Sequence, residues 1–407
     1  MSRSRLATVA FPWMAWGLAF HSLVMAILFG PLHMSAARVR MIAAWKEVAL
    51  VGLLAVVIHR ALAGRGPRVS LAWTDFWIGG LISTAIIYFV SANLWLGANL
   101  PLDAQLLGFR QAVYFMLIYF VGRATPEVAE DERTIRLMFA LLVVTCVIGI
   151  LERFLVPPQG LVAIGVAAYF QDFLGAAPIT AGNEYGLPTN YWAYVGGHAF
   201  RRAGSVYLSG QGFAVPFLLF FPLATVWVFA RPHVKVRQVI GYTIVCVALL
   251  LTLTRMTILV ALLQLILFLV MRRRPEWAVA GLVLFGVLFL AALVVVPGLP
   301  GYTLATITGQ ETSAASHVSD WINGATAFFE QPWGAGLGVT DASATRAGLG
   351  HVAGDNLYWK YAVEMGLFGL LLFLFTLGGI IANAFNVFRN GITETQRNVG
   401  AVVWLAA

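Results

Sequence analysis

Apolar runs long enough to cross a lipid bilayer recur along the whole chain, near residues 11–29, 42–58, 74–90, 107–122, 135–156, 205–230, 238–253, 256–271, 277–297 and 361–385. A hydrocarbon core about 30 Å thick takes about 20 helical residues. Backbone inside it must satisfy its own hydrogen bonds, which a helix does within one segment. The expected fold is therefore all-α, a polytopic integral membrane protein of ten to twelve transmembrane helices forming a single domain over residues 1–407. Composition agrees: 60% of the residues are hydrophobic and 11% charged, against about 25% charged in soluble domains. The first run follows Arg3 and Arg5 but has no small-residue cleavage site, so it reads as a retained span rather than a signal peptide. The ten residues after Arg397 are too few to span and point to a truncated chain or an incomplete terminal helix.

Length also fixes one turn. Residues 238–271 would make a single helix of about 51 Å, far longer than the bilayer core is thick. The stretch must fold back, and the polar cluster Thr252, Leu253, Thr254 and Arg255 is where it does so, which puts Arg255 at a membrane face. With the amino terminus inside, sixteen of the 26 Lys and Arg residues fall on the cytoplasmic side and eight on the other, the bias expected of membrane topology. Two long segments then face outward, near residues 157–204 and 298–360, both rich in Gly, aromatic and polar residues. Long loops in compact proteins are usually functional, so these should carry or cover a site. Within the first, residues 161–174 suit a short interfacial helix with Tyr169 and Phe170 at the membrane surface.

Several functions are excluded. The formal charge of +8 is scattered between apolar runs rather than gathered with aromatics, which argues against nucleic acid. Cys146 and Cys246 lie inside apolar runs and read as small buried hydrophobes. Neither a metal-binding signature nor a phosphate-binding glycine loop occurs, so no metal or other cofactor is expected and Arg is the available counter-charge for an anion.

The outward arginines stand at the mouths of spans: Arg201 and Arg202 before the sixth, Arg255 at the fold-back, Arg110 at the fourth. A guanidinium presents forked donors that match phosphate oxygens, so a converging set would hold a diphosphate. The alternative is that each contacts lipid head groups. Asp355, before the tenth span, is either a helix cap or a general base toward a hydroxyl, with His351 one turn away as partner or substitute. His317 is a surface histidine or a further contact to the anion. Lys46, Glu47, His21 and Glu152 are costly inside spans and need partners; a structural polar network explains them better than catalysis.

These motifs, in this order, resemble the O-antigen ligase and Wzy-type polymerase superfamily. The matching features are the Lys46-containing second span, Arg-x-Gly-Ser at 202–205, Leu-Thr-x-Arg ending at Arg255, Trp321 followed by Pro332 and Gly334-x-Gly336-x-Gly338, and Asp355-Asn356 with Glu364-x-Gly366. The resemblance implies a GT-C-like membrane glycosyltransferase of the bacterial inner membrane, with its two long loops and active site in the periplasm. It implies transfer of a glycan from an undecaprenyl-diphosphate donor to a sugar hydroxyl, with inversion and without a metal. Arg255, Arg202 and Arg201, with His317 and Arg110, would bind the diphosphate, and Asp355 or His351 would act on the acceptor. Implied partners are the lipid-linked donor, a glycan or lipid A-core acceptor, membrane lipids, and a chain-length regulator or assembly partner. Two departures stand out. His317 replaces a common arginine, and Asp355 stands where ligases show His, which favours an O-antigen or exopolysaccharide polymerase over a ligase. A lipid-glycan flippase is the more distant alternative, kept open by Lys46 and Glu47.

Overall fold

A computed structural model describes residues 4–64, 71–97, 99–175, 185–188, 191–195, 198–230, 235–272, 312–340 and 356–407, with scattered positions between 279 and 308 and Ala344. Most of the span expected over 277–297 and of the flanking parts of 298–360, including His351 and Asp355, lies outside them.

In chain order the helices are α1 (Ser4–Phe29), α2 (Ala36–Ala43), α3 (Trp45–Leu62), α4 (Trp73–Trp95), α5 (Leu102–Ala124), a single turn α6 (Glu127–Glu130) and α7 (Glu132–Leu155). Asp131 starts α7 by accepting from the N–H groups of Arg133 and Thr134 at 3.2 and 3.1 Å, which satisfies donors no helical carbonyl can reach. Next come α8 (Pro158–Ala163), α9 (Val166–Ala168) and a π-helical turn (Tyr169–Phe173). A two-stranded antiparallel hairpin follows, β1 (Trp192–Val195) with β2 (His198–Arg201), Trp192 opposite Arg201. A 3-10 turn (Ser205–Tyr207) leads into α10 (Gly210–Ala214), α11 (Phe217–Phe229), α12 (Val236–Leu251) and α13 (Arg255–Met271). Last are α14 (Thr312–Glu330), α15 (Leu357–Asn390) and α16 (Glu394–Ala406). Among the described residues, seven spans formed by these helices are long and apolar enough to cross a membrane, and α12 and α13 are shorter apolar helices. The protein is an all-α polytopic membrane protein.

The chain divides into two compact units, Met1–Ala49 with Pro126–Gly301 and Asn383–Ala407, and Leu50–Thr125 with Tyr302–Ala382. The first unit is cored where α7, α10, α11, α12 and α13 meet, around Cys146, Phe213, Phe217, Val245, Ala248 and Ala261. A second cluster of the same unit joins α1 and α2 to the 157–204 segment through Met25, Val39, Leu161, Tyr169 and Tyr191. Lipid is as apolar as these side chains, so close packing and buried hydrogen bonds must hold such helices together. Gly149 of α7 shows the consequence: a Cβ there would stand 2.7 Å from the Phe213 ring and 3.1 Å from the Ser205 Cβ.

The second unit is cored by α4, α5 and the start of α15, around Ile78, Leu81, Met116, Leu337, Tyr361 and Met365. Asp75, at the start of α4, receives Arg123 at 3.1 and 2.9 Å and the Tyr119 hydroxyl at 2.7 Å, closing one end of the α4–α5 hairpin.

Two expectations are corrected. The interfacial helix over 161–174 is broken into α8, α9 and the π turn, because Gly165 turns left-handed at φ 93° against Gly30 of α1. Tyr169 is buried in the α1 cluster. The sixth span begins at Gly210 instead of 205, so Arg201 and Arg202 stand on the hairpin and the loop after it, not at the mouth of a helix.

Candidate functional site

The fold-back falls at the residues the length argument selects. The helix α12 ends at Leu251 and α13 begins at Arg255. Thr252 is fully buried and donates to the Leu249 carbonyl at 2.7 Å. Leu253 takes a left-handed φ of 50°, and the Thr254 hydroxyl donates to the Thr252 carbonyl at 3.2 Å. The Thr254 side chain makes no cap to α13. Arg255 therefore occupies the first position of a helix whose leading N–H groups carry the positive end of its dipole, and it is half-exposed.

The Arg-x-Gly-Ser motif is fixed one backbone donor at a time. The N–H of Arg202 donates to the Tyr191 carbonyl at 2.7 Å, and that of Ala203 to the Leu251 carbonyl at 2.9 Å. The N–H groups of Gly204 and Ser205 both donate to Glu152 Oε2, at 2.9 and 3.3 Å. Four successive donors are thus taken by the hairpin approach, the end of α12 and the end of α7. The Ser205 hydroxyl adds a bond to the Thr145 carbonyl at 2.6 Å. Because Ala203 is bonded to Leu251, the loop bearing Arg202 is pinned beside the turn bearing Arg255.

The backbone is strained here. Among the described residues five non-glycine positions have positive φ, and Ser205 (50°), Leu208 (59°) and Leu253 (50°) are three of them. Each costs about 1–2 kcal/mol, and strain of this kind gathers at sites whose geometry the surrounding structure over-determines.

Arg201 and Arg202 part company. Side chains of neighbours on an extended segment point to opposite faces. Arg201, 7% exposed, turns into the protein and donates to the carbonyls of Glu152 at 2.8 Å, Arg153 and Val156, the last turn of α7. Its Nη2 also lies 3.9 Å from Glu152 Oε1. The guanidinium serves as a helix C-cap, a favourable place for a cation, and is spent there; a diphosphate role does not suit it. Arg202 is half-exposed.

Tyr191 is fully buried, and its hydroxyl would be 2.9 Å from a Cβ on Gly204, which is why only glycine fits at that position. Burial, with the Glu152 carboxyl as a second cause, holds the Tyr191 phenol well above its ordinary range, so it stays protonated.

The motifs of the second unit build a different device. Gly334, Gly336 and Gly338 all take left-handed φ, 89°, 100° and 88°. The segment lies along the start of α15: Ala335 and Gly336 donate to the carbonyls of Val363 and Glu364 at 2.7 and 3.1 Å. The buried Glu364 Oε1 receives the Gly338 N–H at 3.1 Å and the Thr340 hydroxyl at 2.6 Å. The helix α15 breaks its helical geometry at Gly366 (φ 66°), where the Leu367 N–H turns to the Pro332 carbonyl at 2.9 Å. Asn356 caps α15, accepting from Tyr358 and Trp359 N–H at 2.9 and 3.4 Å. Arg110 lies two turns into α5 instead of at its mouth, and it and His317 of α14 are exposed. In the first unit, Lys46 Nζ lies 3.2 Å from His21 Nε2, and Trp45 donates to His21 Nδ1 at 3.2 Å, a polar contact between α1 and α3.

Sequence reasoning marked Glu152 only as a costly intramembrane acid and left Tyr191 and Glu364 without a role. The available signal for Glu152 was its cost, since a carboxyl in a span needs a partner; that its partner is a loop about fifty residues on is not written in any spacing.

No curated protein matches the chain. Residues 240–374 match the family model described as O-antigen ligase, a stretch that holds the fold-back with Arg255, the glycine-rich segment and the kinked start of α15. That match supports the resemblance of this chain to the O-antigen ligase and Wzy-type superfamily and, with it, a glycosyltransferase-like function of the O-antigen ligase or polymerase type.

Proposed function

We propose that this chain transfers a glycan from an undecaprenyl-diphosphate donor to a sugar hydroxyl at the periplasmic face of the bacterial inner membrane, as an O-antigen or exopolysaccharide polymerase. The observation that supports the reading is the Ala203-to-Leu251 hydrogen bond, which joins the loop bearing Arg202 to the end of α12, four residues before Arg255 opens α13. Two guanidiniums and a helix amino terminus form a site for a dianionic group.

In this reading Arg202 and Arg255 hold the diphosphate and stabilise the charge that gathers on it as it leaves, the term that usually dominates catalysis. The acceptor oxygen attacks the anomeric carbon from the opposite side, inverting it, while the bond to the diphosphate oxygen breaks. Asp355 or His351 takes the hydroxyl proton. A diphosphate is a good leaving group, so the base contributes on the order of a hundredfold, and the counter-charge is arginine rather than a metal. His317 and Arg110 are further contacts to the donor or to lipid head groups.

The ligase reading, in which a completed polysaccharide is joined to lipid A core, is favoured by the description of the matching family. Mass analysis of lipid-linked glycans in a strain lacking this chain separates the two. Accumulated single repeat units are expected; long unattached polymer would make it a ligase. Conversion of a lipid-linked repeat unit into longer chains by the reconstituted protein would exclude a flippase.

A further inference from the structure

A buried acid in a membrane span has to be justified, and the diphosphate chemistry proposed above makes no use of Glu152. Its side chain is 9% exposed. Its Oε2 holds two consecutive N–H groups of the loop that follows Arg202, and Arg202 and Ala203 are held by their own N–H groups to the hairpin approach and to α12. Of these acceptors only Glu152 is a side chain; the others are backbone carbonyls. The loop between Arg202 and the strained Ser205 thus depends on one replaceable group for half of its fixed donors. Arg201, meanwhile, is tied to the last turn of α7, so the same helix end grips both sides of Arg202 in sequence.

We propose that Glu152 is a positioning residue of the anion site: by receiving Gly204 and Ser205 it sets the backbone from which Arg202 reaches the diphosphate. The proposal rests on the assignment of Arg202 to that anion. What matters is the reach of the carboxyl to the two N–H groups. Glutamine keeps both the reach and an acceptor oxygen, and loses the charge. Aspartate keeps the charge and falls short by one methylene.

The test is the affinity of the full-length protein in detergent micelles for farnesyl diphosphate, a soluble polyprenyl diphosphate, with the apparent melting temperature of each ligand-free variant read alongside. Glu152→Gln should bind within about threefold of the unsubstituted chain and Glu152→Asp about tenfold more weakly. In an Arg202→Ala background the Asp substitution should cost nothing further, because its effect passes through Arg202. A purely structural role would lower the melting temperature and leave affinity unchanged. That result, or a Glu152→Asp protein that binds better than Glu152→Gln, would overturn the proposal. Unsubstituted protein that does not bind farnesyl diphosphate would instead overturn the diphosphate assignment on which the proposal rests.

Discussion

Two neighbouring arginines illustrate how far a residue's role depends on the direction its backbone faces. In sequence Arg201 and Arg202 are equivalent candidates for an anion. In the structure Arg201 caps α7 through three carbonyls while Arg202 stands half-exposed beside the α12–α13 turn. Neighbours on an extended segment face opposite sides, and which of the two faces α7 is not encoded in any spacing. The two should respond oppositely to truncation. Arg201→Ala leaves a buried helix end and Glu152 without their cation, and should cost on the order of 3 kcal/mol in stability, seen as a large fall in melting temperature in detergent. Arg202→Ala should melt within a degree or two of the unsubstituted protein and lose most of its transferase activity. Equal destabilisation by both would contradict the division of roles.

At the scale of elements, what could be read from sequence was what length and polarity control. Residues 238–271 exceed the bilayer core in length and hold one polar cluster at their middle, so the turn at 252–254 was legible, as was the helical character of nearly every apolar run. The broken helix at 158–173 was not, because its break comes from Gly165 packing on Gly30, a contact between distant segments. The glycine-rich segment was legible as a motif but not as a strap. Its left-handed glycines let it lie against α15, and Glu364 ties it down from inside the helix. A Cβ on Gly338 would come within 2.2 Å of the Ala104 carbonyl oxygen, at a φ of 88°. Gly338→Ala should therefore destabilise by at least about 2 kcal/mol. Gly79→Ala, in the interior of α4 with open space around the added carbon, should stabilise by about 0.5–1 kcal/mol. Thermal unfolding of the two variants in the same detergent checks both signs; an unperturbed Gly338→Ala protein would mean that the strap does not pack as described.

For the molecule as a whole, composition and run length fixed the class, a polytopic helical membrane protein, and the family match over residues 240–374 supports the resemblance. The proposed chemistry depends on something narrower, that Arg202 and Arg255, more than fifty residues apart in sequence, grip one diphosphate, a reading supported by the bond from Ala203 to the end of α12. A double-mutant cycle on kcat/KM for a lipid-linked donor, with Arg202→Ala, Arg255→Ala and the pair in reconstituted protein, measures this directly. Each single substitution should cost about a hundredfold or more, and the double little beyond the worse single, because groups acting on one ligand as a unit are not additive. Unchanged kcat/KM in both single variants, or fully additive losses in the double, would contradict the shared grip.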